Sequence, residues 1–456
     1  MDLNKYKGKK ILILGLGREG IDSLRFFLQN CPKNEIAVSD QVEAGNLNPG
    51  TKELLAQNPK VRPILGKNYL SSLKDFDIIV KSPGVPIHLP EIERAYRQGK
   101  ITSQTGIFFE QCPGTVIGIT GSKGKSTTSS LIYEILKKAG KKANLVGNIG
   151  TPVLSYLANA GQGDVFVCEL SAHQLYNLRQ SPHIAILLNI YKEHLDYYKS
   201  FAEYIRAKAN IAIHQSKNDY LIYDSTNKEA RKVAQQSKAR KIAFDKYDWR
   251  FTGKTRLVGR FNLENAKVAA IIGRISGVGD DVINQAITEF EPLANRLEFV
   301  GTFNGIDCYN DSLSTIQESA VAAIDGLGGR VQTLIAGGFE RRQPFDKLAR
   351  TILTGSIETL ILFPTTGERI WEEIEKAAVS GRQEKRLAGI KRYFVETMDD
   401  AVRLALANTK RGRICLLSAA SASYNQYRDY AERGEAFKKC LKMNSISKSE
   451  YRNNIE

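Results

Sequence analysis

Residues 114–128 read Gly-Thr-Val-Ile-Gly-Ile-Thr-Gly-Ser-Lys-Gly-Lys-Ser-Thr-Thr. The apolar run Thr115 to Ile119 predicts a strand, Gly121 to Gly124 a tight turn, and the spacing of Leu131, Ile132, Ile135 and Leu136 a helix. A glycine turn in that context lets backbone N–H groups face an anion and presents the positive end of the helix to it. The stretch therefore reads as a phosphate-binding loop. Gly121, Ser122, Lys123 and Gly124 form the cradle, Lys125 reaches the outer phosphates, and a hydroxyl of Ser126 or Thr127 holds magnesium. The spacing is not the common G-x-x-x-x-G-K-[ST], because Gly121 and Gly124 enclose only two residues.

Working outward, a chain of 456 residues is long for one core and predicts two to four domains. No apolar run approaches the ~20 residues of a membrane span. The first ten residues lack the apolar segment of a signal peptide, so a cytoplasmic protein is expected. Six scattered cysteines without metal-ligand spacing, mostly in apolar segments, suggest reduced, buried thiols. The formal net charge of +16 suits an anionic substrate and would also suit nucleic acid. The basic residues are spread along the chain, with no zinc-finger spacing and no RNA-binding aromatic signature. A nucleic acid partner is therefore not expected.

Apolar strands alternate with helical patterns, which predicts an α/β protein in three parts. In the first, assigned to residues 1–104, the strand Ile11–Leu14 runs into Gly15-Leu16-Gly17-Arg18-Glu19-Gly20 and a helix carrying Leu24, Phe27 and Leu28. The next strand, Glu35 to Ser39, ends at Asp40. This G-x-G-x-x-G turn with a carboxylate after the following strand has the form of a dinucleotide site, although such glycines also serve simply to let a helix approach a sheet. The strand Ile78–Val80 ends at Lys81-Ser82-Pro83-Gly84-Val85-Pro86, again where a strand meets the crevice. The second part, 105–298, holds the phosphate loop and the apolar runs Asp164–Leu170, Ile184–Ile190, Tyr220–Tyr223 and Lys241–Phe244, which suit a sheet covered on both faces. The third, 299–456, opens with Glu298–Thr302 and Ile306–Tyr309 around Asn304-Gly305, a strong hairpin signal. Strands at 331–336, 359–363, 393–395 and 414–417 follow, with helices beginning near Thr315, Phe345, Gly367, Met398 and Gln426. The last dozen residues are polar and expected to fray.

Few other residues announce chemistry. Glu169 ends a strand predicted to neighbour the phosphate loop, where a carboxylate would join a loop hydroxyl on magnesium. His194, one of five histidines, suits metal ligation or proton transfer, and equally a structural role. His173 reads as packing. Lys208, on a helical pattern, reads as a solvated lysine.

Together these motifs resemble the Mur ligases. Gly118 to Thr127, Gly147-Asn148-Ile149-Gly150-Thr151-Pro152, Glu169-Leu170-Ser171, Asn189 to Asp196, Asn262-x-x-Asn265, Asn295-Arg296-Leu297-Glu298 and Tyr309-Asn310-Asp311-Ser312 follow in that family's order. Leu417 to Ser423, Tyr430 and Glu432-Arg433-Gly434 resemble its glutamate-adding branch. The resemblance implies a three-domain ligase with a Rossmann-like N-terminal domain, a P-loop ATPase-like central domain with a mainly parallel sheet and a Rossmann-like C-terminal domain. It implies ATP and Mg2+, a UDP-muramoyl-peptide precursor and glutamate as partners, and carboxylate activation through an acyl phosphate. Gly15, Gly17, Asp40, Ser82, Pro83, Gly84 and Asn148 would bind the UDP substrate rather than a nicotinamide cofactor. Asn262 and Asn265 would read adenine, and Arg296 and Asp311 would complete the ATP site. Lys125, His194 and Lys208 would be catalytic. Ser126, Glu169, His194 and a carbamylated Lys208 would hold metal, which reverses the solvated reading of Lys208. A monomer is expected.

The sequence departs from the family at the expected amino-acid site. After Ser312 come Leu313, Ser314, Thr315 and Ile316, where the family has a lysine, a small residue, threonine and asparagine. Arg341 is the candidate replacement cation, with Ser423 and Tyr430 keeping their places. A folate-extending or L-glutamate-adding ligase is the alternative of the same class. An NAD-dependent oxidoreductase built on residues 11–40 would leave the phosphate loop unexplained, and a nucleic-acid ATPase lacks a recognition helix.

Overall fold

A computed structural model describes residues 1–251 and 253–453, with side chains to residue 444. Three sheets account for its strands. The first contains β1 (Ile11–Leu14), β2 (Ile36–Asp40), β3 (Arg62–Leu65), β4 (Ile78–Lys81) and β5 (Ile101–Thr102), all parallel, in the order β3-β2-β1-β4-β5. The helix Arg18–Asn30 packs against it because Gly20 lacks a side chain: a Cβ there would lie 1.8 Å from the Gly15 carbonyl oxygen.

The second sheet contains β6 (Thr115–Thr120), β7 (Ala143–Gly147), β8 (Val165–Glu169), β9 (Ile184–Leu187), β10 (Tyr220–Tyr223) and β11 (Arg240–Ala243), in the order β11-β10-β9-β6-β8-β7 and also fully parallel. Central strand β9 is buried at all four residues, as its unbroken apolar run requires. The order puts β6 between β8 and β9, so the loop leaving β6 emerges between the ends of its two neighbours.

The third sheet contains β12 (Glu298–Phe303), β13 (Ile306–Asn310), β14 (Val331–Gly337), β15 (Thr359–Phe363), β16 (Lys391–Phe394) and β17 (Ile414–Leu417), in the order β12-β13-β17-β14-β15-β16. The β12–β13 hairpin is antiparallel, and Asn304 (φ 53°) and Gly305 (φ 79°) form its turn in the left-handed conformation that this residue pair favours.

The chain divides into two compact units, residues 1–250 with 266–286, and 251–265 with 287–456. The first two sheets share the first unit and the third sheet lies in the second. Strands β3, β5 and β7 have no apolar run to announce them: β3 is an edge strand carrying Pro63, and β5 has two residues. The apolar run expected to continue to Ile190 leaves the sheet after Leu187, because Asn189 is spent on the phosphate loop. The helix Tyr430–Asn453 enters the segment expected to fray; residues 454–456 lie outside the described residues. All six cysteines are free, four of them buried. Among the described residues no helix is long and apolar enough to cross a membrane.

Candidate active site

The turn after β6 is built as a cradle. A Cβ on Gly121 would come within 2.9 Å of Leu188 Cβ, and Gly124, at φ +88°, turns the chain into the helix Lys125–Lys138. Asn189 fixes the loop. Its Oδ1 accepts from Lys123 N at 2.8 Å, its Nδ2 donates to Lys123 O at 3.1 Å, and its own carbonyl accepts from Ser122 N at 2.8 Å. Ser122 Oγ accepts from Tyr191 N at 2.9 Å and lies 3.1 Å from Tyr204 OH.

Cations surround this turn. Lys125 Nζ donates to the carbonyls of Gly121 (2.9 Å) and Ser122 (3.2 Å). Lys208 Nζ donates to the same Gly121 carbonyl at 2.9 Å and to Thr120 Oγ1 at 3.3 Å. The solvated reading of Lys208 is thus corrected: it is 1% exposed, because the face of its helix that carries Tyr204 and Lys208 packs on the loop. Burial first, then the Lys125 charge, holds the Lys208 pKa well below the usual lysine value and favours a neutral amine.

Carboxylates answer these charges. Glu193 pairs with Lys123 at 3.3 Å. Burial alone would raise its pKa, but its charged neighbours, Lys123 foremost, overcome that and hold it down to about 2. Glu169 ends β8 opposite Ile119 and is 1% exposed. Its Oε1 accepts from Asn148 Nδ2 at 2.7 Å, while its Oε2 is buried without a hydrogen-bond partner. His194 has left-handed backbone (φ 57°), and its ring meets the His173 ring edge-on at 4.9 Å. Burial, then the neighbouring His194, pushes His173 down to about 3, so it stays a neutral packing imidazole.

Among the described residues no group of three or more His, Cys, Asp or Glu could by itself hold a metal ion. Magnesium does not require one. It takes one or two protein oxygens and completes its shell with phosphate and water. The unsatisfied Glu169 Oε2 fits that chemistry.

A crevice of about 390 Å³ opens beside this cluster, between the ends of β1, β2, β4 and β7. It gathers Gly15, Gly17, Asp40, Ser82, Pro83, Gly84 and Asn148, the seven residues assigned to the UDP substrate. Gly15 (φ 90°) passes so close to Ser82 that a Cβ would lie 2.9 Å from Ser82 Cβ, and Ser82 Oγ donates to the Gly15 carbonyl at 2.8 Å. Asp40 lines the crevice with both oxygens already engaged: Oδ2 accepts from Leu16 N at 2.6 Å and Oδ1 from Val42 N at 2.9 Å. It therefore holds the glycine turn in shape.

In the second unit, Asp311 follows β13. Its Oδ1 accepts from Leu297 N at 3.1 Å and its Oδ2 from Ser418 Oγ at 2.8 Å. Burial dominates and pushes its pKa up to about 6 in spite of those bonds and the Arg296 charge. Arg296 sits between Asn295 and Leu297, both at positive φ. Asn262 and Asn265, one turn apart on the helix Arg260–Ile275, are buried and bonded to each other at 3.3 Å. The Arg341 guanidinium lies 5.2 Å from the Tyr424 ring centre, and its Nε is buried without a hydrogen-bond partner. Ser423 is buried; Tyr430 is exposed, and its carbonyl accepts from Ser312 Oγ at 2.8 Å.

The family model of the Mur ligase middle domain matches residues 119–252, and that of the Mur ligase MurD-like N-terminal domain matches residues 9–102. The UDP-N-acetylmuramoylalanine–D-glutamate ligase of Symbiobacterium thermophilum is 32% identical over 94% of this chain and 97% of its own. That of Acetivibrio thermocellus is 32% identical over 97% of both chains. The chain belongs to the Mur ligase family. In fold it is similar to the UDP-N-acetylmuramate-alanine ligase MurC of Thermotoga maritima, with a TM-score of 0.59 at 16% identity over 96% of this chain and 100% of that one.

As a Mur ligase the chain is an ATP-dependent ligase with the three-domain α/β fold. Two features of this ligase lacked a role in the sequence reading. Asn189, quoted only as the start of a motif, is the clamp on the phosphate loop. Arg433, 2% exposed, donates to Ser312 Oγ (3.0 Å) and to the carbonyls of Ser312 (2.7 Å), Ser421 (3.0 Å) and Ala422 (3.3 Å). It ties the segment after β13 to the segment after β17. An arginine inside an apparently helical, polar stretch carries no sequence signal for such a role.

Proposed function

We propose that this ligase joins glutamate to the carboxylate of UDP-N-acetylmuramoyl-L-alanine through an acyl phosphate, in peptidoglycan precursor synthesis. The carrying observation is Asn148, which lines the crevice and bonds Glu169 beside the phosphate loop. A sugar-nucleotide held in the crevice would then have its reacting end directed toward the γ-phosphoryl of ATP.

A carboxylate is a poor electrophile because its charge is delocalised and its oxygen leaves badly. Transfer of the γ-phosphoryl makes that oxygen a phosphate leaving group. The loop amides and Lys125 hold the phosphates and offset the charge that gathers on them. Magnesium, held by Glu169 and Ser126, with His194 and a carbamylated Lys208 for a second ion, would supply further charge neutralisation. The amino group of glutamate attacks the acyl carbon, phosphate departs, and the amine loses a proton, with His194 the proposed base. Asn262, Asn265, Arg296 and Asp311 are the proposed adenine and ribose side of the ATP site, and Arg341, Ser423 and Tyr430 the proposed glutamate site. The proposed domains are 1–104, 105–298 and 299–456 for UDP-sugar, ATP and amino acid, in a monomer acting in the cytoplasm.

The names of the relatives carry D-glutamate. Leu313 in place of a lysine makes the handedness worth measuring, and one assay does so. Phosphate release from ATP is followed with UDP-N-acetylmuramoyl-L-alanine and each glutamate enantiomer, with neutral amino acids, folate, NAD and DNA as controls. Release is expected only with the UDP precursor plus glutamate. Equal turnover with neutral amino acids, and none with either enantiomer, would eliminate the assignment.

A further inference from the structure

The loops that leave β14 and β17 are laced together by hydrogen bonds. Phe339 N donates to the Ala422 carbonyl at 2.8 Å. Gln343 Nε2 donates to the Ala420 carbonyl at 3.3 Å and to Ser421 Oγ at 3.4 Å, while its Oε1 accepts from Arg341 N at 3.1 Å. Arg342 follows in left-handed backbone, φ 58°, and donates its amide to the Glu340 carboxylate. The backbone at Arg341 is thereby fixed against the segment that carries Ser423 and Tyr424.

The Arg341 side chain has no such lacing. Glu340, its neighbour in the chain, is taken by Arg369, whose Nη1 donates to both carboxylate oxygens at 2.7 and 2.6 Å. Among the described residues Arg341 has no salt-bridge partner, and its two terminal nitrogens meet no acceptor. Its Nε is sealed inside, but the residue is part-exposed, so those terminal amino groups are the open part of the guanidinium. What the guanidinium does meet is Tyr424. It lies over that ring at 5.2 Å from the centre, and the exposed Tyr424 ring is itself met edge-on by Phe339 at 6.2 Å. An aromatic face attracts a guanidinium and leaves its N–H edges free for a carboxylate. It also removes rotamer freedom that a long cationic side chain would otherwise lose on binding.

We propose that Tyr424 is a positioning residue for the incoming amino acid: its ring holds the Arg341 guanidinium ready to take a carboxylate of glutamate on the two terminal amino groups. This inference rests on the reading of Arg341 as the cation of the glutamate site. Tyr424 acts through Arg341 and not on the substrate, and it acts on binding and not on phosphoryl transfer. Its hydroxyl has no part in this, so a phenylalanine serves equally.

The test uses the full chain and phosphate release from ATP, with D-glutamate varied at saturating ATP and UDP-N-acetylmuramoyl-L-alanine. Tyr424→Leu should raise the KM for glutamate about two- to fivefold, the range of one exposed cation–π contact, and leave kcat and the KM values for ATP and the UDP precursor unchanged. Tyr424→Phe should keep all wild-type values. Because Tyr424 is exposed, neither change threatens the fold. Arg341→Gln should raise the glutamate KM further, and adding Tyr424→Leu to it should have no additional effect. A wild-type glutamate KM in Tyr424→Leu would overturn the proposal, as would an equal rise in Tyr424→Phe or a rise shared by all three substrates. The same rise in the Arg341→Gln background would also overturn it, because the ring would then act without the guanidinium. If Arg341→Gln turns over too slowly to read, the Leu and Phe variants decide alone. A wild-type glutamate KM in Arg341→Gln itself, or no turnover of the wild type with either glutamate enantiomer, would instead overturn the reading of the glutamate site, and this inference with it.

Discussion

The side-chain amide of Asn148 donates to the carboxylate of Glu169 at 2.7 Å. One residue is on the crevice wall, and the other ends the strand beside the phosphate loop. Replacing Asn148 by Ala would leave both Glu169 oxygens buried without a donor, a loss of about 1–3 kcal/mol. The expected outcome is a lower melting temperature, a raised KM for the UDP substrate and a raised magnesium requirement. Asn148→Asp should be worse, since it sets two carboxylates together. Thermal unfolding and phosphate-release kinetics check both.

Lys125→Ala should reduce ligation by at least about 100-fold, because no other group replaces its charge on the outer phosphates. UDP binding, which uses the crevice, should remain measurable. Ligation near the wild-type rate would show that the turn at 121–127 does not hold the nucleotide.

Lys208 offers a contrast between activity and stability. Its pKa lies well below that of an unfolded lysine, so its contribution to stability is fully present above about 10.4 and is lost as pH falls toward the folded value. Lys208→Met removes that loss. The variant should lose ligation yet match or exceed the wild-type melting temperature near pH 7, and its advantage should shrink as pH approaches 10. A Met variant that unfolds more readily at every pH would mean the amine's bonds to Gly121 and Thr120 outweigh its burial.

Asp311 has the opposite sign. Its folded pKa, about 6, lies above the 3.8 of a free carboxyl. Its contribution is complete below 3.8 and fades as pH rises through about 6, a total of about 3 kcal/mol. Asp311→Asn should therefore flatten the decline in stability of the wild type between pH 4 and 8, as measured by urea unfolding. An unchanged pH profile would assign the titration elsewhere.

Gly20→Ala puts a methyl where the Gly15 carbonyl oxygen lies, 1.8 Å from the added Cβ. Helix and strand must separate, at a cost of about 1–3 kcal/mol. The melting temperature should fall and UDP binding should weaken, while Gly45→Ala, whose Cβ would meet nothing within 4 Å, should change neither.

Much of this was legible from short-range chemistry. The phosphate loop, the Asn304-Gly305 turn and strands such as Tyr220–Tyr223 and Ile414–Leu417 rest on local patterns, and they appear where those patterns end. Edge strand β3 was not legible, since its exposed residues and Pro63 carry no apolar pattern. Lys208 was misread by spacing alone. A helical lysine looks the same in sequence whether its face meets water or a loop, and only packing against Gly121 and Thr120 decides.

By itself the sequence determined three α/β segments, a glycine turn suited to phosphate, and a carboxylate at the end of a neighbouring strand. These follow from backbone stereochemistry and hydrophobic period, which act over a few residues. The tertiary structure alone decided which charges are buried and which are answered: Glu193 by Lys123, Glu169 by Asn148, and Asp40 by two backbone amides. Only it left one oxygen of Glu19 and one of Glu169 without a donor. Desolvation and hydrogen bonding depend on neighbours distant in the chain, and no local pattern encodes them.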